Sequence, residues 1–313
     1  MLRLVALRIL SSVPVMFIVA VIVFGLLRLS PGDPAVILAG DSATPEAIAA
    51  LRQQLGLDQP LPIQFVTWLS GVVTGDFGQS ILSRMPVLSL IFDRLEATLV
   101  LAVSAIIITV LIAVPMGAIA AWRHNSWIDR AVMTLSVAGF SVPAFVIGYL
   151  LMLFFSVKWE LLPVQGYVSP FADPGAAVRH LILPSVTLAL VFMALIARVT
   201  RSSLLEVLNQ DFVRTARAKG NSQRRVLWRH ALPNAAVPII TVIGIGIAML
   251  ISGVVVTESV FNIPGIGRLT IDAILARDYP VVQGLMLFFA LIYVGVNLLI
   301  DIAYIIVDPR IRY

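Results

Sequence analysis

Residues 97–121 read ATLVLAVSAIIITVLIAVPMGAIAA, a run of 25 residues without one charged side chain. A helix needs about 20 mainly apolar residues to cross roughly 30 Å of bilayer hydrocarbon, because each residue advances it by about 1.5 Å. The rest of the chain has the same character. Of its 313 residues, 59% are hydrophobic and 12% are charged, whereas soluble domains average about 45–50% and about 25%. The chain is therefore an integral membrane protein.

Five further stretches are apolar and contain no Lys, Arg, Asp or Glu. We predict an all-α, polytopic membrane protein with six transmembrane helices. The first stretch follows Arg3 and Arg8, as in a signal peptide. Its apolar run is longer than the apolar region of a signal peptide, which is usually about 7–15 residues, and no small-residue cleavage site follows it. We therefore expect it to remain in the protein as a membrane span. The predicted spans are 9–27, 97–121, 131–157, 181–197, 231–257 and 281–300.

The basic residues are distributed unevenly between the two sides of the membrane. If the N-terminus is inside, the inner segments hold 14 Lys and Arg against 5 acidic residues, and the outer segments hold 8 against 12. By the positive-inside rule, both termini are expected in the cytoplasm. The chain then divides into a cytoplasmic N-terminus with the first helix (1–28), an extracytoplasmic segment with short helices (29–96) and a five-helix core (97–313).

Within the extracytoplasmic segment, Thr44, Pro45 and Glu46 form a helix start, and Gly56 follows as a stop. Two interpretations stay open for this short helix. It lies on the outer membrane surface with its apolar side down, or it forms a docking surface for an external partner.

The cytoplasmic loop 198–230 carries eight of the 22 basic residues. Asp211 is expected to cap a helix over 212–219, which Gly220 ends, and a polar residue at 221–222 caps a second helix. A first helix of about 12 Å suits the cleft of a partner, with Phe212 and Val213 as apolar anchors. The alternative is a loop that is basic only because it lies in the cytoplasm, attracted to anionic lipid by about 1 kcal/mol per residue.

Several kinds of chemistry are excluded by residue counts. The chain has no cysteine, and its only lysines, Lys158 and Lys219, do not follow a glycine as the lysine of a phosphate-binding loop does. The three histidines are isolated, and the basic residues do not form the continuous face that nucleic acid requires. We expect no enzyme, no metal site, no nucleic-acid partner and no cofactor in this chain.

A secondary, ion-coupled transporter of small solutes is the main alternative class. Such proteins place ionisable residues in the middle of the membrane to bind the coupling ion or the substrate. The six predicted spans contain no acidic or basic residue, and only Glu258 and Asp301 lie at their ends. This pattern favours a gated conduit that is driven by another component.

The loop also resembles the EAA motif of ABC importer permeases, which reads Glu-Ala-Ala, three residues, Gly, nine residues, then Ile-x-Leu-Pro. Ala216, Gly220, Leu232 and Pro233 match this pattern. Arg214, Thr215 and His230 depart from it as the dipeptide/oligopeptide/nickel branch does. Further segments that resemble the branch are Ser-Pro-Gly-Asp-Pro at 30–34, Leu-Gly-Leu-Asp at 55–58, Gly-Asp-Phe-Gly at 75–78, Pro-Gly-Ile-Gly-Arg at 264–268, Arg-Asp-Tyr-Pro at 277–280 and Asp-Pro-Arg-Ile-Arg at 308–312.

The resemblance implies a type I ABC importer permease of the peptide branch in a bacterial inner membrane. It further implies a second homologous permease, two ATP-binding cassette subunits that bind ATP and Mg²⁺, and an extracytoplasmic solute-binding protein with a peptide substrate. Coupling to the ATPase would fall on Asp211, Phe212, Val213, Arg214, Thr215, Ala216, Arg217, Ala218, Lys219 and Gly220.

The segment 258–269 resembles the part of the family that re-enters the membrane at the outer mouth. We expect it to line or gate the pathway, with Glu258 and Phe261 nearest to it and Pro264, Gly265 and Gly267 shaping the turn. An ordinary surface turn is the alternative.

Overall fold

A computed structural model describes residues 2–29, 35–36, 44–54 and 56–307 of the chain. The described residues form helices and no strand beyond an isolated bridge between Gln79 and Pro86, so the predicted all-α fold is confirmed. The principal helices are α1 (Leu2–Leu29), α2 (Pro45–Gln54), α3 (Leu61–Thr74), α4 (Val87–Trp122), α5 (Trp127–Ser141), α6 (Ala144–Leu151), α7 (Pro174–Leu208), α8 (Asp211–Ala218), α9 (Ala236–Val260), α10 (Ile266–Leu275) and α11 (Tyr279–Val307).

In the described part of the chain, four helices are long and apolar enough to cross a membrane by themselves. Two bent pairs of helices raise the number to six when each pair is one span, as the sequence predicts. The four single spans are Leu7–Gly25, Val87–Trp122, Pro174–Leu208 and Tyr279–Tyr304, and the pairs are Trp127–Gly139 with Ala144–Lys158 and Gln223–Asn234 with Ala236–Leu250.

The third predicted span is not one straight helix. It breaks between α5 and α6, and its two halves meet at 102°. The break falls at Pro143, which holds the preceding Val142 in extended conformation (φ −91°, ψ 127°), as the residue before a proline requires. Beyond α6 the chain continues as a π-helical stretch, Met152–Lys158. Pro115 and Pro184, by contrast, lie inside continuous helices.

The fourth span is much longer than the predicted 181–197. Helix α7 has 35 residues, or about 52 Å at 1.5 Å per residue. It begins where the Asp173 side chain accepts a hydrogen bond from the Ala176 backbone N–H (3.0 Å), with Pro174 as its first residue. The apolar criterion missed both ends because Arg179, Arg198 and Arg201 lie in the added turns.

The chain divides into two compact units, Met1–Asp93 with Thr270–Val294, and Arg94–Leu269 with Gly295–Tyr313. In the first unit, α3 packs on α1 through the rings of Phe17, Phe24, Phe65 and Trp68. The buried carboxylate of Asp278 accepts hydrogen bonds from the Ser80 hydroxyl and the Ile81 backbone N–H. This contact joins the segment after Gly-Asp-Phe-Gly to Arg-Asp-Tyr-Pro, two stretches that stand apart in the sequence.

The second unit has a core of apolar side chains from α4, α7 and α9. Helices α4 and α7 approach closely at Gly117, where an added Cβ would lie 2.5 Å from the Ala197 carbonyl oxygen and 2.7 Å from the Thr200 Cβ. Only glycine allows this backbone contact.

Candidate functional site

The short helix in the cytoplasmic loop forms over Asp211–Ala218, one residue earlier at each end than the predicted 212–219. Asp211 is the first residue of α8 rather than its cap, and Gln210, in the cap position, makes no side-chain hydrogen bond. At the other end, the Asn221 side-chain amide donates to the Ala216 carbonyl oxygen (3.0 Å). Gly220 is left-handed, with φ +79°, so the expected glycine stop is confirmed.

A second loop helix follows over residues 223–234. The Ser222 hydroxyl accepts a hydrogen bond from the Arg225 backbone N–H (3.4 Å) and so caps it. The α-helical ends Gln223–Arg225 and Leu232–Asn234 flank a π-helical stretch, Val226–Ala231. This second loop helix meets α9 at a bend of 65°.

One face of α8 rests on the protein itself. Val213 is fully buried and Ala216 nearly so, and both pack with Val226 of the second loop helix and with Leu208 of α7. Val213 therefore holds α8 against the rest of the chain. The expectation that it serves as an exposed anchor for a partner is wrong. Its partner in that expectation, Phe212, is 39% exposed.

The other face of α8 is open and carries most of its charge. The exposed residues of the predicted coupling set are Asp211, Phe212, Arg214, Thr215, Arg217, Ala218, Lys219 and Gly220. The Arg214 guanidinium and the Asp211 carboxylate lie 3.4 Å apart and are 74% and 94% exposed, so their attraction contributes little to stability. Arg217 also borders a cavity of about 550 Å³ next to His124 and Gln223.

An ion pair that the sequence did not predict joins α5 to α7. Asp129, at the start of α5, has a side chain only 4% exposed, and it accepts from the Arg201 guanidinium through both oxygens, one bond measuring 2.7 Å. The Asn125 backbone N–H donates to the same carboxylate (3.0 Å), and His124 lies 3.3 Å away. The pair joins the two predicted cytoplasmic segments 122–130 and 198–230.

At the opposite end of α9, Glu258 forms a second buried polar centre. Its carboxylate has no exposed surface and accepts hydrogen bonds from the Thr98 hydroxyl (2.6 Å) and the Arg268 backbone N–H (2.9 Å). The Thr98 oxygen in turn accepts from the Ile266 N–H (2.8 Å). A Cβ on Gly265 would overlap the carboxylate, so glycine at this position makes room for it. We call this arrangement the Glu258 clasp.

The segment 258–269 is not an ordinary surface turn, because most of its side chains are inside the protein. Phe261 is 1% exposed and belongs to the core of the second unit. Gly265 and Gly267 are buried, and Pro264 is exposed. The structure thus brings together Glu258, Gly265 and Gly267. Throughout the described ranges, no three His, Asp or Glu side chains come together as metal ligands would.

Comparison with known proteins identifies the family of this chain. Residues 113–313 match the family described as binding-protein-dependent transport system inner membrane component, and residues 1–102 match its N-terminal part. The chain belongs to this family and is a membrane-spanning transport subunit of an ABC importer. The ion-coupled alternative receives no support.

Several relatives match this chain over nearly its full length. A "Probable peptide ABC transporter permease protein" of Sinorhizobium fredii is 52% identical over 98% of both chains. A glutathione transport system permease protein of Salmonella typhi is 46% identical over all of both chains. Among solved structures, the MetNI methionine ABC transporter in an inward-facing conformation is similar, with a TM-score of 0.60 and 17% identity over 71% of this chain and 97% of that one. That similarity shows the type I permease fold.

Proposed function

We propose that this chain is one of two permease subunits of an ATP-driven importer and that α8 is the helix through which ATPase subunits act on it. The observation that carries the proposal is the construction of α8. Its buried face, Val213 and Ala216, fixes it to Leu208 and Val226, and its other face, with Phe212, stays open. A helix that is fixed on one side and open on the other can transmit a push or a pull from a partner.

The elements next to α8 suit the transmission of such a motion. Helix α7 runs unbroken to Leu208, three residues before Asp211. Buried apolar side chains at the ends of α4 and α7 pack against the second loop helix, including Ala121, Leu204 and Leu227. In the proposed cycle, closure of the ATPase subunits displaces 211–220, the fourth and fifth spans rotate to open outward, the binding protein delivers the solute, and hydrolysis resets the chain.

The nucleotide is bound elsewhere in this proposal. Neither Lys158 nor Lys219 lies in a phosphate-binding loop, and a P-loop lysine is needed to reach the β- and γ-phosphates. ATP and Mg²⁺ would therefore be bound by two ATP-binding cassette subunits. The remaining partners would be a second homologous permease and an extracytoplasmic solute-binding protein.

We assign peptides as the solute class, because the relative from Sinorhizobium fredii is named for peptide transport and glutathione, the solute in the name of the Salmonella relative, is itself a tripeptide. The charge distribution supports a multi-pass position in the bacterial inner membrane with both termini in the cytoplasm. Under this orientation the Glu258 clasp lies at the outer mouth. There the segment 258–269 would gate the pathway, and the gate would move when the hydrogen bond between Glu258 and Thr98 breaks or forms.

Uptake by the reconstituted complex tests the proposal. Peptide uptake into vesicles should stop when ATP is depleted while ion gradients are clamped, and it should require the solute-binding protein. Uptake that persists without ATP, or that follows an imposed ion gradient, would contradict an ATP-driven importer.

A further inference from the structure

We propose that α3 is embedded in the outer part of the bilayer and that its exposed apolar face contacts lipid, although it belongs to the segment between the first two spans. Its sequence is LPIQFVTWLSGVVT. The nearest charged residues are Asp58 and Asp76, so 17 consecutive residues carry no charge. At about 21 Å, the helix is too short to cross the hydrocarbon of about 30 Å.

Contacts with α1 set the depth of α3. The ring of Phe65 lies 5.9 Å from that of Phe17 and 5.3 Å from that of Phe24, centroid to centroid. Phe17 lies next to the midpoint of the apolar span Leu7–Gly25, eight residues or about 12 Å from its end. Because the Phe65 ring touches a side chain at that level, it lies inside the hydrocarbon and not in water.

The surface of α3 has the composition of a lipid contact. None of its fourteen residues is fully buried, and Leu61, Ile63, Val66 and Val73 are all at least half exposed. On α1, which is a membrane span, side chains such as Ile18 are exposed in the same way. The apolar surface of α3 therefore continues the lipid-facing surface of a helix that already spans the bilayer, which selects lipid as the occupant.

Three side-chain donors of α3 are satisfied within the protein, although the Gln64 side-chain oxygen is buried without a partner. The Ser70 hydroxyl donates to the Thr67 carbonyl oxygen (2.7 Å), and the Thr74 hydroxyl donates to the Ser70 carbonyl oxygen (3.0 Å). The Gln64 side-chain amide donates to the Gln59 carbonyl oxygen (2.6 Å). In hydrocarbon these donors have to be satisfied within the protein, whereas in water they need not be.

The chain has no cysteine, so single spin labels can be placed without a background. Val66→Cys and Val73→Cys, at positions 64% and 79% exposed, are labelled in the full chain. The chain is purified with its co-expressed subunits and reconstituted in nanodiscs of phosphatidylethanolamine and phosphatidylglycerol. Ile18→Cys on α1 is the lipid reference, and Glu46→Cys on α2 is the aqueous reference. Power saturation then measures the access of oxygen, which favours lipid, and of a water-soluble nickel chelate.

The ratio of oxygen to nickel access at Val66 and Val73 should match that at Ile18 and should exceed that at Glu46 several-fold. Nickel access equal to that at Glu46 would place α3 in water, as a docking surface for a soluble protein, and would overturn the proposal. Low access to both reagents would show that another protein covers α3, and it would overturn the proposal equally. The result does not depend on what the complex transports.

Discussion

Replacing Gly265 by alanine should break the Glu258 clasp. The added Cβ would overlap the Glu258 carboxylate, which has no exposed surface and so cannot turn away into solvent. The carboxylate would be displaced from the Thr98 hydroxyl and from the Arg268 N–H. A buried hydrogen-bonding group that loses its partner costs about 1–3 kcal/mol and two such bonds are lost, so the free energy of unfolding should fall by about 2–6 kcal/mol.

A double-mutant cycle separates this mechanism from a general effect of alanine. Glu258→Ala removes the group that the new Cβ would strike, so Gly265→Ala should cost far less in the Glu258→Ala background than in the wild type. Gly295→Ala is the matched control. It lies within α11 and an added Cβ meets no atom there within 4 Å, so helix propensity should leave stability unchanged or raise it by up to about 1 kcal/mol.

The assay is unfolding of the purified chain from mixed micelles by increasing sodium dodecyl sulfate, followed by circular dichroism. The cycle should give a large coupling between the two positions. If Gly265→Ala destabilises the chain equally with and without the Glu258 carboxylate, or if it has no more effect than Gly295→Ala, the description of the clasp is wrong.

Three further experiments, with five substitutions in all, test α8 and the ion pair between α5 and α7. Gly220→Val forces a β-branched residue into the left-handed turn at a cost of about 1–2 kcal/mol, so transport should fall while membrane levels persist; unchanged transport would contradict the coupling role. Val213→Ala should lower the free energy of unfolding by about 1–3 kcal/mol, because a buried side chain is shortened. Phe212→Ala should weaken association with the ATPase subunits and have little effect on unfolding. Equal effects of the two variants in both assays would contradict a buried role for Val213 and a partner-facing role for Phe212. Asp129→Asn should lower the free energy of unfolding by about 1–3 kcal/mol, because the Arg201 guanidinium, which is 22% exposed, loses its charged partner. Asp211→Asn should lower it by less than about 0.5 kcal/mol. Both values are read from chemical unfolding curves.

Most of the long helices could be predicted, because a membrane span can be recognised from its apolar composition alone. The stop after α8 could be predicted as well, since Gly220 acts within a few residues of the helix that it terminates, whereas the cap at Asp211 was predicted wrongly. Local rules did not decide which proline breaks a helix. Pro143 does and Pro184 does not, because neighbouring helices and side chains can replace the hydrogen bond that a proline removes.

The contacts that hold the site together lie beyond such rules. Asp129 and Arg201 are 72 positions apart in the chain, and Thr98 and Glu258 are 160 apart. Nothing in a single sequence pairs residues at these separations. The burial of Val213 was not predicted for a related reason. An apolar residue on a short helix can either face a partner or pack against its own chain. Only the position of Val226, which contacts Val213, decides between the two.

The most direct test of the account is crosslinking from α8 to its partner. A photo-crosslinking amino acid is placed at Phe212, which is exposed, and in a separate variant at the neighbouring Val213, which is buried. In membranes that contain the assembled complex, the probe at position 212 should join this chain to an ATP-binding cassette subunit, and the probe at position 213 should react mainly within the chain. A probe at 212 that labels only lipid or water, while the ATPase subunits still co-purify with the chain, would contradict the central claim.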